Sequence, residues 1–248
     1  VAENTQAATM PGKVLLRAIN KTLFAASTDE DTAALNGIYF NLGENGLTFV
    51  ATDAHRLVRY RRVDITVHEA ASFIVPQKAL NLVKGSFDAN AEPVRIEYND
   101  SNAFFRTDNI LLVCRLIDQK YPDYENVIPT DNPNRLQVDR IDLLGSLRRV
   151  NIFANKTSHQ VRFKATGSEL SISAEDLDFA NEARETLKSH YEGSDIEIGF
   201  NASLLIDIIN NATPSEVLVE LSTPNRAGII LPSSQEEGED LLMLIMPV

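Results

Sequence analysis

Asp53, His55 and Arg56 fall within one hexapeptide, Thr52-Asp53-Ala54-His55-Arg56-Leu57. An acid beside an imidazole is the pair that activates a nucleophile in hydrolases, and a guanidinium can hold an anion. The same residue types also make a plain turn, because an Asp side chain readily bonds backbone amides just beyond it. A third use is a binding surface. The hexapeptide sits between two alternating apolar runs, residues 47–51 and 57–63, so a tight polar corner joins two predicted strands. No Gly-x-Ser-x-Gly elbow, cysteine nucleophile motif, phosphate-cradling glycine loop or metal-ligand spacing accompanies the pair. The chain therefore reads as a non-enzyme with no metal or cofactor.

The elements that must position this corner belong to an ordinary globular chain. Its 248 residues allow one or two domains and a sizeable core, with 44% hydrophobic and 23% charged residues. No apolar run is long enough for a membrane-spanning helix. Residues 1–9 are small and polar, lack a signal-peptide pattern and read as a residual linker. The start at Val1 rather than Met reads as a cut or processed product. Cys114, the one cysteine, lies in an apolar run and is expected to be a buried structural thiol. A single cysteine forms no internal disulfide and fits a reducing cytoplasm. His55, His68, His159 and His190 are scattered, without metal-site spacing. A net charge of −12 argues against a broad basic surface, but it leaves room for cations gathered on one face.

In chain order, residues 13–27 carry an apolar helical stripe, with Lys13, Arg17 and Lys21 recurring every four positions on the other side. Strands are expected at 36–42, 47–52 and 57–63, the first two joined by a Gly/Asn turn. A strand at 72–75 leads to Pro76 and a helix over 77–84 that stops at Gly85. Strands at 94–98, 103–106 and 110–116 follow. The Pro-punctuated stretch 121–134 is the expected boundary, dividing a domain of residues 10–130 from one of 131–248. The second half repeats the first. Asp139 or Asp142 caps a helix bearing Arg148 and Arg149, with Lys156 beyond it. A hairpin pairs 161–165 with 170–174, a strand covers 179–187, and another at 196–200 enters a helix capped by Asn201. Strands at 217–221, 227–231 and 241–246 finish the chain. The expected class is α+β, built from repeated β-α-β-β-β units with helices on the inner face and sheets outside.

This organisation resembles the bacterial sliding clamp family, the beta subunit of DNA polymerase III. The strings that carry the resemblance are Leu35-Asn36-Gly37, the hexapeptide 52–57, Tyr121-Pro122-Asp123-Tyr124 with Pro129, Ile198-Gly199-Phe200-Asn201, and Met246-Pro247-Val248. It implies the DNA clamp fold, with this chain matching the second and third of three domains. The family's first domain supplies one side of the ring-closing contact, so the chain as given is expected not to close a ring. Ala54 stands where the family commonly has Gly, and Leu204 where some members have Tyr. The family tail usually extends slightly beyond Met-Pro-Val.

The resemblance further implies a processivity factor that encircles duplex DNA as a homodimeric ring and contacts phosphates without reading bases. Lys13, Arg17, Lys21, Lys84, Arg148, Arg149 and Lys156 are the cations expected to do so. It also implies docking of clamp-binding motifs from DNA polymerases, the clamp loader and repair proteins. Leu35, Thr52, His55, Arg56, Leu57, Pro122, Val127, Leu244 and Met246 would form a deep subsite. Asn201, Leu204, Pro247 and Val248 would form a shallower one. An apolar floor accepts a Leu or Phe anchor, and Met adapts to varied partners. A repeat-built peptide-binding scaffold outside replication is the alternative reading.

Overall fold

Period-two alternation of apolar residues yields strands, and three-to-four-residue spacing yields helices, in a computed structural model describing residues 5–248 apart from 89, 91, 92 and 214. Two units result. The first comprises Val1–Asp123 with Glu236–Leu241, the second Tyr124–Gln235 with Leu242–Val248.

The first unit contains β1 (Gln6–Met10), α1 (Gly12–Thr22), β2 (Gly37–Gly43), β3 (Gly46–Thr52), β4 (Arg56–Arg62), β5 (Ala71–Pro76), α2 (Gln77–Ser86), β6 (Val94–Tyr98), β7 (Asn102–Arg106) and β8 (Leu111–Arg115). One antiparallel sheet runs β1-β6-β7-β8, and another runs β4-β3-β2-β5. α1 buries Val14, Leu15, Ala18 and Ile19 and packs beside α2, which buries Ala79, Leu80 and Val83. Phe40 on β2 lies opposite Phe49 and Phe73 in the ladder. Its ring meets Phe49 edge-on at 4.9 Å, Phe73 at 5.4 Å and Phe105 of the other sheet at 6.5 Å. Each such ring contributes on the order of 2–3 kcal/mol by leaving water. The two sheets and the helix pair thus share one core.

The second unit repeats the plan with β9 (Asn134–Asp139), α3 (Arg140–Asn151), β10 (Gln160–Thr166), β11 (Glu169–Asp176), β12 (Asn181–Lys188), β13 (His190–Glu192), β14 (Ile196–Asn201), α4 (Ala202–Asn211), β15 (Glu216–Leu221), β16 (Gly228–Pro232) and β17 (Glu239–Ile245), whose beginning belongs to the first unit. Its sheets run β12-β11-β10-β14 and β13-β9-β15-β16-β17, and α3 packs beside α4. Phe163 and Phe200 meet edge-on at 5.5 Å in its core. Asp139 caps α3, its carboxylate accepting the Asp142 amide at 2.8 Å.

Several sequence expectations need correction. Of the expected linker 1–9, residues 1–4 lie outside the described residues, whereas Gln6–Met10 is a strand paired with β6 and burying Ala8 and Met10. Small side chains hid its alternation, and its partner is remote in sequence. β9 was not among the expected strands; it begins where the Pro-punctuated stretch ends, and Leu136 and Val138 alternate inward along it. α1 ends at Thr22, and residues Leu23–Ala25 tighten into a 3-10 turn. α2 continues through Gly85 to Ser86. The units divide after Asp123 rather than at residue 130. Tyr121 explains this: its ring stacks on Tyr39 at 4.7 Å and its hydroxyl donates to the Val50 carbonyl at 3.4 Å, which fastens that stretch to the first unit. Cys114 is half-buried on β8 rather than buried, and desolvation pushes its thiol pKa up.

Candidate functional site

The corner between β3 and β4 is fixed by its own side chains. The Thr52 hydroxyl donates to the Arg56 carbonyl at 2.6 Å and accepts the Ala54 amide at 3.2 Å. One Asp53 oxygen accepts the amides of His55 (3.0 Å) and Arg56 (2.9 Å), and the other accepts Arg56 Nε at 3.1 Å. Asp53 therefore forms the turn and anchors Arg56, and its carboxylate is directed to these donors rather than to the His55 ring. The buried Arg56 guanidinium also donates to the Phe24 carbonyl at 2.9 Å and lies 5.4 Å from the centroid of the Phe24 ring. Ala54 takes up a left-handed φ of 73°, a conformation that costs a non-glycine residue about 1 kcal/mol. A glycine at this position would adopt that conformation without the cost.

Within the first unit, Leu35 and Leu57 are buried while His55 and Pro122 are exposed. The Leu35 carbonyl accepts the Ser27 amide at 3.0 Å, which draws the Leu35 turn toward the end of α1. Within the second unit, Asn201 caps α4 by accepting the amides of Ser203 (3.0 Å) and Leu204 (3.2 Å). The Val248 amide donates to the Gly199 carbonyl at 3.0 Å, bringing Pro247 and Val248 to the strand that ends at Asn201. Leu244 is buried, Met246 and Val248 are exposed, and Leu204 is half-buried. Val127 lies on the 3-10 turn Glu125–Val127 with its side chain exposed. Phe24 and Gly199 were absent from the expected site residues. Phe24 lies 32 positions from Arg56, and no local pattern connects them.

The expected DNA-contacting cations divide into two groups. Lys13 on α1, Lys84 on α2 and Arg148 on α3 are exposed; Arg148 donates to Asn210 Oδ1 at 3.3 Å. Lys21 is half-buried, and Lys156 donates to the Ile152 carbonyl at 2.9 Å. Arg149 is bidentate to Glu185 at 2.7 Å for both bonds. Arg17 is committed to Glu239 through Nε and through Nη2 (2.8 Å), with Glu236 at 3.5 Å. A phosphate would have to displace a carboxylate at both of these arginines. Among the described residues, no group of three or more His, Cys, Asp or Glu could hold a metal ion, and no helix is long and apolar enough to cross a membrane.

Glu239 has a side chain only 4% exposed, and the Tyr60 hydroxyl also donates to it at 2.6 Å. Burial alone pushes its carboxyl pKa up, but the bonds from Arg17 and Tyr60 outweigh that and hold it below the usual carboxylate range. Burial and the Glu239 bond push the Tyr60 phenol well above its ordinary value. A depressed folded-state pKa means stability that is present above the unfolded value of about 4.3 and lost as pH falls through the folded one. Urea midpoints should therefore drop more steeply between about pH 5 and pH 3 in the native chain than in Glu239→Gln. Parallel curves would exclude this contribution.

Two tandem α+β units, each laying a helix pair on antiparallel sheets, define a DNA-clamp architecture. The family described as DNA polymerase III beta subunit, central domain, matches residues 9–123, and its C-terminal domain matches residues 125–248. The chain belongs to the DNA polymerase III beta subunit, or beta sliding clamp, family. It is 29% identical to the beta sliding clamp of Borreliella burgdorferi over 240 residues, covering 95% of this chain and 60% of that protein. For the Vibrio cholerae beta sliding clamp the identity is 29%, covering 93% and 62%. Among solved structures, a Pseudomonas aeruginosa DnaN sliding clamp bound to griselimycin matches with a TM-score of 0.93 at 25% identity, covering 100% of this chain and 66% of that one. The Thermotoga maritima beta subunit matches at 0.92 and 27%, covering 100% and 66%. The chain thus spans somewhat less than two thirds of these relatives' length.

Proposed function

We propose that this chain forms part of a non-catalytic, cytoplasmic processivity clamp that encircles duplex DNA and docks short motifs of polymerases, clamp loader and repair proteins. The observation that carries the reading is the preorganised corner at residues 52–57. Its backbone is fixed by Thr52 and Asp53, Arg56 is locked beneath it, and His55 is left to face a ligand. Loops held this way recognise peptides with little ordering cost. Met246 and Val248, exposed on a tail anchored at Gly199, supply apolar contacts of the kind a Leu or Phe anchor needs. Of the residues of the two expected subsites, Leu35, Thr52, His55, Arg56, Leu57 and Pro122 belong to the first unit, and Val127, Asn201, Leu204, Leu244, Met246, Pro247 and Val248 to the second. A ring dimer belongs to this reading for a chain carrying all three family domains.

The test is fluorescence anisotropy with a labelled clamp-binding peptide. Saturable binding that weakens about tenfold or more with His55→Ala and with Met246→Ala is the expected result, about 1.4 kcal/mol each. Binding indifferent to both substitutions would refute the site. DNA contact is weak and phosphate-directed in this reading, carried by Lys13, Lys84 and Arg148 more than by the paired Arg17 and Arg149. On the assembled ring, Lys13→Ala or Arg148→Ala should lower the salt slope of DNA binding by about one, and Arg149→Ala by less. Equal slopes for all three would remove this ranking.

A further inference from the structure

Leu35 and Arg56 both belong to the expected deep subsite, and one stretch of the first unit, residues 24–36, bears on them from its two ends. At its beginning the Phe24 carbonyl accepts the Arg56 guanidinium at 2.9 Å. At its end Leu35 is buried, closing a 3-10 segment (Glu30–Leu35) that Thr32 interrupts with non-helical torsions, φ −112° and ψ 51°. Ser27 joins the two sides: its amide donates to the Leu35 carbonyl at 3.0 Å. Inside the loop so closed, Asp29 accepts the Asp31 amide at 3.0 Å, and the Ser27 and Thr32 hydroxyls lie 2.8 Å apart. Residues 28–31 stand exposed. Bonds within a loop shape it but do not place it on the rest of the molecule.

Gln77, 50 positions from Ser27, grips both sides of the loop's neck. Its side-chain amide donates to the Ser27 carbonyl, and its backbone amide donates to the Asn36 carbonyl at 3.1 Å. It does so from rigid ground, as the first residue of α2, whose Leu80 and Val83 are fully buried. The N-cap of α2 is Pro76, which offers no capping side chain, so the Asn36 carbonyl satisfies an amide that would otherwise be orphaned. Any residue at position 77 supplies that backbone bond. Only a side chain carrying an N–H supplies the second, so its contribution is separable from the fold of the helix.

We propose that the Gln77 side chain is a positioning residue for peptide docking: by holding Ser27 it sets where Leu35 and the Phe24 carbonyl stand, and through them the apolar wall and Arg56. This role rests on the docking function proposed above. Without the side-chain bond the loop must be ordered at each binding event, which costs affinity. Gln77→Ala and Gln77→Glu test it together. Glutamate keeps the length and shape of glutamine, but its carboxylate only accepts hydrogen bonds. The first turn of α2 carries no acid, and one placed there favours the helix. A role in helix stability alone would therefore leave Gln77→Glu at least as good as the native chain. Positioning predicts that both variants bind the labelled clamp-binding peptide about fivefold more weakly. It also predicts, with no peptide present, faster amide exchange over residues 28–35 in both variants while β2 and β3 keep their protection. A Gln77→Glu chain that binds as tightly as the native chain, or whose loop exchanges no faster, would overturn the proposal and leave the docking function standing. A native chain that binds no peptide would overturn both.

Discussion

Gly37→Ala is expected to destabilise the first unit by about 3 kcal/mol or more, read as a lower urea midpoint. Gly37 opens β2 and lies opposite Pro76 on β5. A Cβ at this position would stand 2.1 Å from the Val75 carbonyl oxygen and 2.8 Å from its carbonyl carbon. Both are backbone atoms, so no side-chain rotation relieves the overlap, and the start of the β2–β5 ladder must separate. The adjacent bond from the Gln77 amide to the Asn36 carbonyl, 3.1 Å, ties the start of α2 to this point and would be strained with it. Gly85→Ala is the matched control. Gly85 lies within α2 with nothing inside 4 Å of an added Cβ, so alanine there should stabilise by about 0.5–1 kcal/mol through helix propensity. An unchanged midpoint for Gly37→Ala would mean that the close approach of β2 and β5 relaxes freely.

Arg56→Ala should cost about 3 kcal/mol and abolish peptide binding together, because one side chain serves both purposes. The guanidinium is buried and joins the Asp53 carboxylate to the Phe24 carbonyl, 32 residues away in sequence. Its removal strands a partly buried carboxylate and unties the corner from the end of α1. Arg56→Lys separates charge from geometry. A lysine keeps the charge, yet a single ammonium cannot reproduce the planar fork that meets both acceptors and lies over the Phe24 ring. Lysine should recover less than half of the lost stability. Full recovery by lysine would show that charge alone holds the corner.

Hairpins, helices and the repeat were legible because they are local. Alternation along β2, β3 and β4 shows which residues face inward, and Asn201 and Asp139 stand where helix caps are expected. Asp53 was legible as a turn-former for the same reason, since its acceptors bind amides two and three residues on. The strings shared with the sliding clamp family were also local, and the matched domains follow their order.

Arg17 marks where that legibility stops. Spaced every four residues with Lys13 and Lys21, it reads as one of a row of open cations. The fold gives it Glu239, 222 positions along the chain, together with Tyr60 on the same carboxylate. Arg149 is likewise spoken for by Glu185 on β12. β1 looked like linker because its pairing partner is β6. The sequence by itself determined which residues turn inward, where helices start, and that one architecture occurs twice. The tertiary structure alone decided which charges are neutralised, which strand edges are covered and how Arg56 is held beneath the corner. Periodicity reports a residue's face, whereas a charged or edge group's energy depends on a partner that only the folded chain brings within reach.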